Sequence, residues 1–232
     1  MIDIRRAADR GQASFDWLES QHSFSFGSYY DPGHMGFRQL RVINEDRVAP
    51  GGGFPTHPHR DMEILTYVVD GALAHKDSMG NGSIIRRGDV QRLSAGTGIT
   101  HSEYNHSDTE GVHFLQIWIE PEAQNLSPDY GQVRYADHAS PNTLQLLAAP
   151  GGGDGALHIN QDVSLYRGEL EPAGSIEWRP GTDRHVWLQV VRGSLPVADA
   201  ELSSGDGAAI SAIDRLLIRS EAGAEFLLFD LN

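Results

Sequence analysis

The chain has 232 residues, 39% of them apolar, enough to bury one large core or two small ones. It contains no cysteine, which excludes disulfides and thiolate catalysis and leaves nitrogen and oxygen as the only ligands for a metal. With 18 basic against 32 acidic residues the formal charge is −14, which repels phosphate backbones and anionic lipid.

No basic run with interleaved aromatics offers a nucleic-acid surface, and nothing points to a protein-partner patch. No apolar run approaches the ~18 residues of a membrane helix. Met1-Ile2-Asp3-Ile4-Arg5-Arg6 is not followed by an apolar stretch and a small-residue cleavage site, so a cytoplasmic protein is expected.

In chain order, residues 13–20 are the clearest helical candidate, expected to pack on a surface and to carry no chemistry. The segments 63–69, 112–119, 186–191 and 226–229 are short β-branched and aromatic runs punctuated by 26 glycines and 11 prolines. That spacing reads as many short strands, hence a sandwich or barrel with few short helices. Asn81-Gly82 predicts a hairpin with a type I′ turn. Residues 120–129 are polar and broken by proline, which suits a linker. The division expected is an N-terminal barrel over 1–122, a linker over 123–135 and a C-terminal barrel over 136–232.

The halves echo one another. Residues 63–71 and 185–193 both read as a strand closed by a glycine, and Gly88-Asp89 and Gly205-Asp206 follow them as turns. Aligning Gly71 with Gly193 puts Arg179 and Gly181 where His57 and His59 stand. Aligning Gly88 with Gly205 puts Ile218 and Ser220 where His101 and Glu103 stand. The second half therefore repeats the architecture without the chemistry.

That chemistry lies in His57-Pro58-His59 and His101-Ser102-Glu103. In a strand, residues two apart share a face, so each segment presents two ligands together. If both strands face one cavity, three imidazoles and a carboxylate converge, a set suited to a divalent first-row metal. Pro58, lacking an N–H, belongs at a strand start or edge. His22, His34, His75, His106, His113, His138, His158 and His185 have no such pairing and read as surface or packing residues, although His113 and Gln116 could line the cavity. Gly51-Gly52-Gly53 and Gly151-Gly152-Gly153 lack the Gly-Lys-Ser/Thr of a phosphate loop and read as turns; no G-x-S-x-G elbow is present.

Gly51, His57, His59, Glu63 and Gly71 match the first cupin motif, with seven residues rather than six before Gly71. Gly88, Gly96, Gly98 and His101 follow the second, with Ser94 in place of the usual proline. More specifically, residues 56–63, residues 94–103 and the early Phe24-Ser25-Phe26 and Tyr29-Tyr30-Asp31-Pro32 resemble the pirin family.

The resemblance is dense over residues 22–120 and continues as pattern beyond them. It implies an all-β fold of two tandem cupin (double-stranded β-helix, jelly-roll) barrels, with metal in the first only. It also implies that His57, His59, His101 and Glu103 are the metal ligands and that Glu63 supports the site without ligating.

The activity implied is quercetin 2,3-dioxygenation, in which a flavonol and O₂ react at the metal and carbon monoxide is released. Iron(II) is the metal expected, with nickel, copper, manganese, cobalt and zinc as alternatives. An octahedral ion on this set would leave up to two positions for water, substrate or O₂. Glu103 is the candidate catalytic base for the flavonol 3-hydroxyl. The competing readings are an iron-binding redox sensor or protein-binding regulator, which pirin relatives include, and a cupin isomerase without oxygen chemistry. The physiological substrate, the native metal and the oligomeric state are not written in the sequence.

Overall fold

Short alternating runs closed by glycine turns fold here almost wholly into strands. A computed structural model describes residues 1–153 and 155–232. The first half forms β1 (Ile2–Arg5), β2 (Gly11–Phe15), β3 (Leu18–His22), β4 (Leu40–Val48), β5 (Gly53–His59) and β6 (Glu63–Asp70). It continues with β7 (Ala72–Asp77), β8 (Gly82–Arg86), β9 (Asp89–Ser94), β10 (Ile99–Asn105), β11 (Val112–Ile119) and β12 (Asp129–Arg134). The second half forms β13 (Thr143–Ala149), β14 (Leu157–His158), β15 (Val163–Leu170), β16 (Gly174–Trp178) and β17 (His185–Val197). It ends with β18 (Ala200–Ser203), β19 (Gly207–Ser211), β20 (Leu216–Ser220) and β21 (Ala224–Leu231). The helices among the described residues are two 3₁₀ turns, Ala7–Asp9 and Tyr135–His138. No helix among them is long and apolar enough to cross a membrane.

Two jelly-roll barrels result. In the first, a seven-stranded sheet ordered β12-β9-β6-β11-β4-β3-β2 is accompanied by the four-stranded β5-β10-β7-β8. In the second, the sheet β1-β19-β17-β21-β15-β13-β14 is accompanied by the pair β16-β20. One apolar cluster joins Leu65, Leu115 and Ile117 of the first barrel to Leu165, Trp187 and Phe229 of the second, so the two large sheets share a core.

Two strands depart from the expected division. β1 pairs with β19, Ile2 opposite Ile210 and Arg5 opposite Gly207, so the first residues complete the second barrel. Within the expected linker, β12 adds to the first barrel through β9. Its Tyr130 and Val133 are partly enclosed, a strand signal that the surrounding proline and charge obscured.

The helix expected over residues 13–20 is instead the β2–β3 hairpin, Ala13 opposite Ser20 and Phe15 opposite Leu18. Period-two alternation, continued by pairing to β4, overrode the weak helical pattern. A hairpin does join β7 and β8, but its left-handed residue is Gly80 (φ 94°) rather than Asn81 and Gly82. Asn81 instead turns its amide and its backbone N–H to Asp77.

Candidate metal centre

Pro58 lies on β5, an edge strand, where its missing N–H leaves no gap in the ladder. β5 pairs antiparallel with β10 so that His57 stands opposite His101, and the register shifts between His101 and Glu103. The rings of His57, His59 and His101 have centroids 4.5–4.8 Å apart. One nitrogen from each lies within 4.8 Å of the others. His101 is 1% exposed and Glu103 0%, while His57 and His59 are half-buried.

Nδ1 of His57 lies 2.8 Å from the Pro55 carbonyl, which turns Nε2 away as the free lone pair. Nε2 of His59 and Nε2 of His101 are buried and make no hydrogen bond within the protein. Buried polar atoms are almost always partnered. Two of them on converging imidazoles beside a buried carboxyl fit a divalent metal.

The electrostatics agree. Burial, then the nearby His57, hold the His59 imidazole down at about 4. Burial and then His59 and His57 hold His101 at about 2. Both rings are therefore neutral, as metal ligands must be. Burial first, and then the Asp46 charge, push the Glu103 carboxyl up to about 7, against the hydrogen bonds from Gln116 and Thr66.

Those bonds come from the facing sheet: Gln116 Nε2 donates to Glu103 at 2.8 Å and Thr66 Oγ1 at 3.4 Å. Thr66, Gln116, Asn44, His22 and Gly11 occupy one register across β6, β11, β4, β3 and β2. His22 Nδ1 meets Asn44 at 2.8 Å, and Ser20 donates to the Asp46 carboxyl on the adjoining register. A polar row thus crosses the floor of a cavity of about 480 Å³ whose other walls are Phe15, Leu18, Phe26, Phe54 and Trp118. Trp118 sets its ring edge-on to His59, centroids 5.0 Å apart, and Phe26 does the same to Trp118 at 5.3 Å.

At the end of the row, a Cβ on Gly11 would lie 2.2 Å from the Tyr29 ring, which stacks on His22. Gly11→Ala is expected to cost ~1–3 kcal/mol by overpacking, read as a lowered denaturation midpoint. An unchanged midpoint would show that the loop bearing Tyr29 yields freely.

Glu63 is 1% exposed and faces away from the three imidazoles. It accepts from Asn160 Nδ2 at 3.1 Å, a tie between the barrels, and from Ser94 Oγ at 2.9 Å, a bond within the first barrel that proline at position 94 would remove. Gln116 lines the cavity, but His113, three residues earlier on β11, points outward to Glu45 at 2.9 Å. Odd spacing in a strand requires those opposite faces. His22 and His75, read as packing histidines, are both at the site: His22 in the row, His75 3.5 Å from His101. Only partners distant in sequence reveal them.

In the second barrel the strands matching β5 and β10 are β16 and β20, with Ile176 opposite Ile218 and Trp178 opposite Leu216. Ile176, Leu216 and Ile218 join its apolar core, filling the space where the first barrel has its imidazoles. Both ligand-type clusters among the described residues lie in the first barrel.

The family model for pirin matches residues 3–119, and one described as quercetinase C-terminal cupin domain matches residues 146–231. The chain is 46% identical over 231 residues to quercetin 2,3-dioxygenase of Escherichia coli, covering 100% of this chain and 99% of that relative. It is 39% identical over 231 residues to a pirin-like protein of Caulobacter vibrioides, covering 99% of each. The crystal structure of the bacterial pirin YhhW from Escherichia coli, in complex with nickel(II), aligns with a TM-score of 0.95 at 46% identity, covering 100% of this chain and 99% of that one. Full-length identity and a match in each barrel show that the chain belongs to the pirin family.

Proposed function

We propose that the protein is a metal-dependent dioxygenase that opens flavonols such as quercetin, with iron(II) held by His57, His59, His101 and Glu103. The observation that carries this reading is the clustering of His57, His59 and His101, with Glu103 grouped beside His101, at a cavity walled by aromatic rings that His57, His59 and Glu103 line. It is supported by the names of full-length relatives. When bound, the metal supplies a Lewis acid and a template that holds an electron-rich ring beside O₂.

The chain's own residues do the rest. Phe26 and Trp118, packed edge-on against each other, present an apolar wall to a planar ring and exclude water. Glu103 accepts the 3-hydroxyl proton; a carboxyl held near pH 7 suits a base working at neutral pH. Gln116 and Thr66 each donate to one Glu103 oxygen, the Gln116 bond being the shorter, and so fix the orientation of the carboxyl. Ser20, Asp46, Asn44 and His22 offer partners for hydroxyls elsewhere on the substrate. Both atoms of O₂ enter the ring-opened product, and the carbon bearing the 3-hydroxyl departs as carbon monoxide.

The test is anaerobic reconstitution with iron(II), then addition of quercetin and O₂ while oxygen uptake and carbon monoxide are recorded. Nickel, copper, manganese, cobalt and zinc forms run beside it. Metal-dependent uptake with matching carbon monoxide is expected. Silence in every form with metal confirmed bound would replace this reading with a redox-sensing role. Trp118→Ala is expected to raise KM for quercetin about tenfold, since a buried aromatic contact contributes ~1.5 kcal/mol. An unchanged KM in steady-state assays would place the flavonol elsewhere.

A further inference from the structure

Behind His101 lies a buried pair that the ligand set does not include. β7 runs beside β10 on the side away from β5, placing Asp77 opposite His101 and His75 opposite Glu103. The side chains of His75 and Asp77 are 0% exposed. Nε2 of His75 lies 3.3 Å from Oδ2 of Asp77, and Nδ1 of His75 lies 3.5 Å from Nδ1 of His101. Asp77 is itself fixed by the hairpin: its Oδ1 accepts the backbone N–H groups of Met79 and Asn81, and its Oδ2 accepts the Asn81 side-chain amide.

This arrangement has a direction. A carboxylate only accepts, so the His75 proton sits on Nε2. A neutral imidazole then presents Nδ1 as acceptor, and His101 must donate from its own Nδ1. The His101 lone pair is left on Nε2, the buried nitrogen without a partner in the protein. A nitrogen of His75 does fall within 4.8 Å of His101 and Glu103 donors, yet both His75 nitrogens are engaged in this chain.

We infer that Asp77 and His75 are positioning residues, a carboxylate–imidazole relay that holds His101 in the Nε2-ligating tautomer before metal arrives. The inference rests on the metal-site reading above, and its test separates the two. In Asp77→Asn the oxygen stays with the two backbone N–H donors, so the new NH₂ faces His75 Nε2, and the Asn81 side-chain amide turns its oxygen to accept from it. His75 Nε2 must then accept, the His75 proton moves to Nδ1, and His101 is left protonated on Nε2. Supporting partners of metal-bound histidines typically govern 10–100-fold in affinity.

The experiment measures nickel(II) affinity of the full chain by competition titration, and the ¹⁵N tautomer of His101 by NMR in metal-free protein. Wild type should show His101 protonated at Nδ1; Asp77→Asn should show it at Nε2 and bind nickel about 10–100-fold more weakly. If Asp77→Asn fails to fold, His75→Leu replaces it, with mixed His101 tautomers and about tenfold weaker binding expected. An unchanged tautomer, or unchanged affinity in a folded variant, overturns the relay. Failure of wild type to bind nickel, iron or any other divalent metal overturns the metal site, while the tautomer measurement still decides the relay.

Discussion

Glu103→Gln is expected to lower metal-normalised oxygen uptake by ~10²–10⁴-fold, the range for losing a positioned general base. The geometry gives the reason. Glu103 is fully enclosed, takes hydrogen bonds from Gln116 and Thr66, and lies within 4.8 Å of donor atoms on His75 and His101. Gln is nearly the same shape but can neither take the 3-hydroxyl proton nor bring negative charge to the metal.

A second readout distinguishes this from misfolding. Burial raises the folded Glu103 carboxyl to about 7, so below that pH a metal ion must displace its proton. The neutral His59 and His101 demand no such displacement above about pH 5. Wild-type metal affinity should therefore rise with pH up to about 7 more steeply than that of Glu103→Gln, by up to about tenfold per pH unit. Equal slopes, or full activity in the metal-loaded variant, would remove Glu103 from both roles.

The largest expected effect on stability is opposite in character, because Asp46→Asn should stabilise the metal-free protein. Asp46 is 2% exposed; burial pushes its carboxyl up to about 7, Ser20 opposes this, and the Glu45 charge adds to it. A folded carboxyl raised above its unfolded value contributes stability that is complete below about pH 4 and is lost as pH climbs to about 7. From 3.8 to about 7, at ~1.4 kcal/mol per pH unit, the loss reaches about 4 kcal/mol above neutrality. Asn keeps the shape and a partner for Ser20 without the charge. The gain of Asp46→Asn in chemical denaturation should thus be near zero at pH 4 and grow to several kcal/mol at pH 8. A gain independent of pH would show that the buried carboxyl is not what limits the wild type.

The proposed ligands are more legible in the sequence than their surroundings. His57, His59, His101 and Glu103 were legible because period-two spacing within a strand is local, and only one further condition, that two strands share a cavity, was needed. The β5–β10 pairing sets His57 opposite His101 and gathers the three histidines, while Glu103 groups with His101 and His75. His75, Asp77 and Asp46 were not legible, since each acquires meaning from a partner on another strand: His101 for the first two, Ser20 for the third.

The barrels themselves were readable from glycine-punctuated apolar runs, whereas their borders were not. β1 crosses to the second barrel by pairing with β19 and packing Ile2 and Ile4 on that barrel's core, partners some two hundred residues away in sequence. The β2–β3 hairpin is hard to read from sequence because its five-residue strands carry too little alternation to stand out locally, and it supplies Ala13, Phe15, Leu18 and Ser20 to the cavity wall.

The central claim is that one barrel holds metal and the other, built alike, does not. The most direct measurement is a crystal structure of metal-loaded protein with anomalous data at the metal edge, paired with metal analysis in solution. The account predicts one ion per chain, ligated by His57, His59, His101 and Glu103, and no peak between β16 and β20. An ion in the second barrel, or one in the first that His101 and Glu103 do not touch, would contradict it.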